Sequence, residues 1–177
     1  GSATEVMAFR VIEAAGLDKD KDMKRERLGA AESANALKDR KIDAYFWVGG
    51  IPTGSVTDLA ATPGVKIKLI DHAKYVDAMN KKYGNLYSQG VIKAGSYPNQ
   101  DKDNAEASVW NILVTNDKMS DDMAYKLVQL MVEKNAELVA VHREAKSFSL
   151  ANQKKENSPV PFHPGAIKYY KEKGLNF

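Results

Sequence analysis

The chain of 177 residues contains no cysteine. Disulfides, thiolate catalysis and thiolate-bound metal are therefore excluded, while either redox compartment remains open. No stretch approaches the ~20 consecutive apolar residues of a membrane-spanning helix. Histidine is scarce: His72, His142 and His163 are dispersed, without the close spacing of metal ligands. There is no Gly-x-Ser-x-Gly elbow, no phosphate loop ending in lysine and no dinucleotide-binding glycine pattern. Asp121 and Asp122 are adjacent, and adjacent helical positions do not face each other. These gaps predict a protein that is not an enzyme and that carries no metal and no cofactor. A surplus of one charge is also missing. Twenty-six basic against 23 acidic residues leave a net charge of +3, too mild and too evenly spread for nucleic acid. The opening Gly1-Ser2-Ala3-Thr4-Glu5 has no basic start followed by an apolar stretch. The expectation is either a cytosolic protein or one whose leader lies further upstream.

What is present is ordinary for a globular protein: 44% hydrophobic and 28% charged residues, enough chain for one domain or two small lobes. No internal repeat or low-complexity tract interrupts it. The spacing predicts helices over 3–15, 32–40, 56–61, 73–83, 120–141 and 166–173. Strands are expected near 25–28, 42–48, 65–70, 86–92 and 106–114, and an irregular loop over 94–103. Strands alternate with helices for the first hundred residues, which argues for an α/β fold with a mostly parallel sheet flanked by helices. After Glu106 the pattern becomes one strand followed by helices only. A boundary is therefore expected near residue 105, separating a lobe of 1–105 from a segment of 106–177.

The pattern is centred on Ile42-Asp43-Ala44-Tyr45-Phe46-Trp47-Val48-Gly49-Gly50-Ile51-Pro52. An apolar, aromatic run ending in two glycines and a proline reads as a buried strand with a tight exit. In open α/β sheets small molecules bind just beyond such strand ends. Tyr45, Trp47, Gly49, Gly50 and Pro52 are therefore candidate binding residues, and Tyr97 in the irregular loop is expected to join them. Successive strand residues point to opposite faces, so at least one of Tyr45, Phe46 and Trp47 belongs to the core. A second candidate is the start of the first helix. Ser2 and Glu5 have capping-box spacing, and the free N–H groups around Ser2, Ala3 and Thr4 suit a carboxylate. An ordinary N-cap accounts for the same residues, and Glu5 opposes an anion.

Taken in order, these segments resemble one family. Gly1-Ser2-Ala3-Thr4-Glu5, Ile42-Asp43-Ala44-Tyr45-Phe46 with Gly49-Gly50-Ile51-Pro52, and Val56-Thr57-Asp58-Leu59-Ala60 are similar to motifs of the TAXI-type solute receptors of TRAP transporters. So are Ile92-Lys93-Ala94-Gly95-Ser96-Tyr97-Pro98, Leu113-Val114-Thr115, and Pro161-Phe162-His163-Pro164-Gly165-Ala166 before Tyr169-Tyr170-Lys171-Glu172-Lys173-Gly174. Residue 3 is Ala where that family usually has Gly. The resemblance implies a type II periplasmic-binding-protein-like lobe with C-terminal helices that complete another lobe, whose N-terminal part is not in this chain. It also implies a periplasmic location, a small organic acid or amino acid such as glutamate as ligand, and a membrane permease as partner. If that other lobe is absent, half the pocket walls are absent too, and weak or undetectable binding is expected. An unpaired sheet edge is expected to be covered by the chain's own tail or by a second copy, making a homo-oligomer. The alternative from another class is a cytosolic effector-binding regulatory domain with the same lobe.

Overall fold

The computed structural model describes residues 2–177, so the expectation at Gly1 lies outside the described residues. Two compact units divide the chain, 1–108 and 109–177.

The first unit begins with α1 (Ala3–Ala14). Ser2 accepts the Glu5 N–H at 3.2 Å as its N-cap, and Gly16 follows the helix at φ 80°, the left-handed exit that glycine permits. α2 (Ala30–Lys38), α3 (Gly54–Ala61) and α4 (Val76–Tyr83) follow, the last preceded by a 3-10 turn at Ala73–Tyr75. β1 (Ser88–Ile92) and β2 (Asn104–Ser108) pair antiparallel, with Ser88 opposite Ser108 and Ile92 opposite Asn104. Two apolar clusters fill this unit. Met7 and Val11 of α1 meet Val76, Met79, Tyr87 and Ala107, with Val48 packed against them. Val56, Ala60 and Tyr97 form the other, with Tyr45, Ile51, Ile67, Leu69 and Ile92 around them.

The expected parallel sheet is corrected here. Among the described residues the sheet has only β1 and β2, and they are antiparallel. Segments 25–28, 42–48 and 65–70 run outside any helix or strand. The last two supply Tyr45, Val48, Ile67 and Leu69 to the clusters, whereas 25–28 supplies none, and no ladder joins their main chains among the described residues. Apolar content predicts burial; a strand also needs a neighbour at ladder distance. The strand expected over 106–114 likewise ends at Ser108. Beyond it Leu113 and Val114 are 66% and 67% exposed.

The second unit is built on α5 (Asp121–Glu133) and α7 (Pro164–Glu172), with α6 (Asn135–Val141) and three 3-10 turns between. Ser120 caps α5 by accepting the Met123 N–H at 3.2 Å. The single long helix expected to Val141 is broken at Lys134, where φ departs to −103° and ψ to 19°. Ala166, Tyr169 and Tyr170 form the core of this unit with Tyr125, Val128, Val132, Leu150, Phe162, Leu175 and Phe177.

Candidate functional site

The glycine turn after the aromatic run is held by one residue, Thr53. Its hydroxyl accepts the indole N–H of Trp47 at 2.9 Å and donates to the Gly50 carbonyl at 2.8 Å. Its main-chain N–H donates to the Tyr97 hydroxyl at 3.1 Å. Thr53 also precedes α3, and its carbonyl takes the first helical N–H groups, those of Val56 and Thr57, at 3.1 and 3.0 Å. Three of the expected residues, Trp47, Gly50 and Tyr97, are thus tied to a residue that was not singled out.

Gly49 belongs to the same group by contact. A Cβ there would lie 2.6 Å from Trp47 Nε1, so the indole rests against the bare backbone. Pro52, joined to Ile51 by a cis bond, links this turn to Thr53. Tyr45 packs on the cluster that holds Tyr97. Burial, and next the neighbouring Tyr97, push the Tyr45 hydroxyl above its usual range, so it remains a neutral donor at neutral pH. Trp47 and Phe46 are 43% and 41% exposed, whereas Tyr97 is 6% exposed. The polar group of Trp47 is satisfied internally, and its ring is left half open.

Tyr97 is placed by the loop over 94–103. Gln100 Oε1 accepts the Tyr97 N–H at 3.2 Å, and Gln100 Nε2 donates to the carbonyls of Ile92 and Lys102 at 3.2 and 3.0 Å. Asn99, at φ 60°, donates to the Ala60 carbonyl at 3.1 Å and so anchors the loop on α3. Asp103 closes it by accepting from Lys93 Nζ at 2.7 Å and Ala94 N at 2.8 Å. The Lys93 bond, then the Ala94 bond, hold the Asp103 carboxyl below the usual carboxylate range.

The other expected site stands apart in its bonding. Ser2, Ala3 and Thr4 start α1, with the Ser2 hydroxyl and carbonyl engaged by Glu5 and Val6 of that helix. Glu5 pairs with Arg27 at 3.4 Å, which moderates the charge opposing an anion there. Among the described residues no hydrogen bond or ion pair joins this turn to the Thr53 group. Val48 supplies a nearer link, since it packs on the cluster containing Met7 and Val11 of α1 while Tyr45 packs on the Tyr97 cluster.

Two surface hollows of about 570 and 400 Å³ open elsewhere. The first is lined by mixed charges such as Lys24, Glu32, Asp39 and Lys41, the second by residues including Lys154, Glu156 and Lys173. Neither touches the aromatic and glycine residues, and neither is lined by an aromatic side chain. Convergent polar groups beside aromatic walls make a better small-molecule site than open space alone, so the Thr53 group is the stronger candidate. Among the described residues no set of three or more His, Asp or Glu side chains could hold a metal ion.

The chain falls in the periplasmic-binding-protein-like class, whose members take a small-molecule ligand. A model of the NMT1-like family matches residues 1–174, and the chain belongs to that family.

Proposed function

We propose that this chain is the solute-binding component of a TRAP transporter of the TAXI type. It works in the periplasm, binds a small organic acid or amino acid such as glutamate, and passes it to the membrane permease. It makes and breaks no bond in the ligand. One observation supports the site above all: Thr53 holds Trp47 against Gly49, whose missing Cβ makes room for the indole, and the ring is left half exposed. Tyr45 and Tyr97 supply further wall. On this reading a ligand carboxylate takes N–H groups at a helix start, either at Gly54 and Ser55 of α3 or at the Ser2–Thr4 turn of α1.

Titration calorimetry with glutamate, glutamine and succinate tests the reading. Saturable binding of at least one is expected, weakened about tenfold or more by Trp47→Ala, since a central aromatic contributes about 2 kcal/mol or more. Saturation by none of them, or affinity indifferent to Trp47→Ala, would sink the proposal.

A further inference from the structure

Among the described residues β2 has β1 on one side only. Its other edge presents the outward main-chain groups of Ala105 and Ala107, and an open edge is a template for another chain. Here the pair Asp71–His72 covers it. The His72 N–H donates to the Ala105 carbonyl at 2.9 Å. Asp71 Oδ1 accepts the Ala105 N–H at 2.9 Å and the Asn104 side-chain amide at 2.5 Å. His72 Nδ1 accepts the Ala107 N–H at 2.9 Å.

The last bond differs in kind from the others. A ring nitrogen accepts an N–H only while it carries no proton, so His72 is neutral with its hydrogen on Nε2. A carbonyl in that place would hold Ala107 at any pH; an imidazole holds it only above its own titration. Burial draws the His72 pKa below its ordinary value, and Asp71 opposes that shift. Of the other elements packed here, the 73–75 turn carries Lys74 and Tyr75, α4 behind it carries Asp77, Lys81, Lys82 and Tyr83, β2 carries Glu106, and β1 carries no ionisable side chain.

We propose that His72 is a pH-operated cover on the edge of β2. Neutral, it closes the edge; protonated at Nδ1, it becomes a donor facing the Ala107 donor, and the two separate. The edge then opens at Ala107, one residue before Ser108, where the chain leaves the first unit, while Asp71 and the His72 N–H still hold Ala105. This device is independent of which solute the protein binds.

The test is an NMR titration of the whole protein from pH 7.5 to 4.5, following the His72 ring, the Ala107 amide and its exchange protection factor. The His72 midpoint is expected below about 6.5. The Ala107 amide is expected to shift along the same curve, with its protection falling about tenfold, the equivalent of one hydrogen bond. His72→Asn, whose Oδ1 stands near the place of Nδ1 and does not titrate, is expected to protect Ala107 equally at both ends. An Ala107 signal that ignores the His72 titration, or a His72 that stays neutral to pH 4.5, would overturn the proposal without need of any variant.

Discussion

At the scale of single residues, Thr53 does more than its sequence context suggests. One hydroxyl serves as acceptor for Trp47 and donor to Gly50, while the backbone of the same residue reaches Tyr97. Thr53→Val keeps the shape and removes both hydroxyl bonds, so it should cost about 1–3 kcal/mol in chemical denaturation. It should also free the indole, read as a changed Trp47 emission in a Trp110→Phe background. Thr53→Ser keeps the hydroxyl and should restore most of both. If Thr53→Val left Trp47 emission as it was, the latch would be disproved, whatever the ligand. The sequence pointed to the aromatics and glycines because their chemistry is local: a run of rings, then two residues without side chains. Thr53 was silent because its importance depends on Tyr97, 44 positions later, and nothing in a short window encodes that approach.

At the scale of elements, the helices were largely legible and the sheet was not. Helical order is a property of a window: Ser2 and Ser120 cap where hydroxyls precede acidic first turns, and glycines follow at 16, 84 and 174 with positive φ. A strand acquires its identity from a partner elsewhere in the chain. Residues 42–48 and 65–70 therefore carry the composition of strands without forming ladders, and their side chains join clusters instead. One helix start was read only in part. His163, a residue rarely chosen as a cap, accepts the Gly165 N–H at 3.2 Å through Nδ1, and its Nε2 lies 3.2 Å from the Met119 carbonyl. It thus fastens the start of α7 to the approach to α5. Gly165 follows because a Cβ there would run into the main chain of Asp121. His163→Ala should cost about 0.5–2 kcal/mol, the usual value of a cap, measured by denaturation. Gly165→Ala should cost more, because backbone cannot step aside as a side chain can. Equal and negligible effects would show that α7 is not held by its N-terminal end.

At the scale of the whole molecule, the groups that burial perturbs set the pH range over which the fold holds. His72 titrates lower in the folded state than unfolded. Its contribution is therefore complete above the ordinary value of about 6.5 and is lost as pH falls from there through the folded value. Tyr170 is the opposite case. Burial, and next Tyr169, push its hydroxyl up to about 12 from 10.0, and it donates to Gln153 Oε1 at 3.2 Å inside the second core. Its contribution is complete below about 10 and is lost as pH rises through the folded value. The lowered carboxyls of Glu13, Asp20 and Asp103 act only further into acid, and they are exposed, so solvent leaves them little weight. Scanning calorimetry should therefore find a melting temperature that is flat between about pH 6.5 and 10 and declines on both sides. The acid limb belongs to the first unit, while the alkaline limb is shared between Tyr170 of the second unit and Tyr45 of the first, whose hydroxyl burial also pushes up. Tyr170→Phe should lower the plateau, because it gives up the Gln153 bond, and should make the alkaline limb shallower while leaving the acid one. His72→Asn should flatten the acid limb alone. An alkaline decline that persists unchanged in Tyr170→Phe would mean that the tyrosine ionises without hindrance, and the second core would then have to be more open than its packing implies.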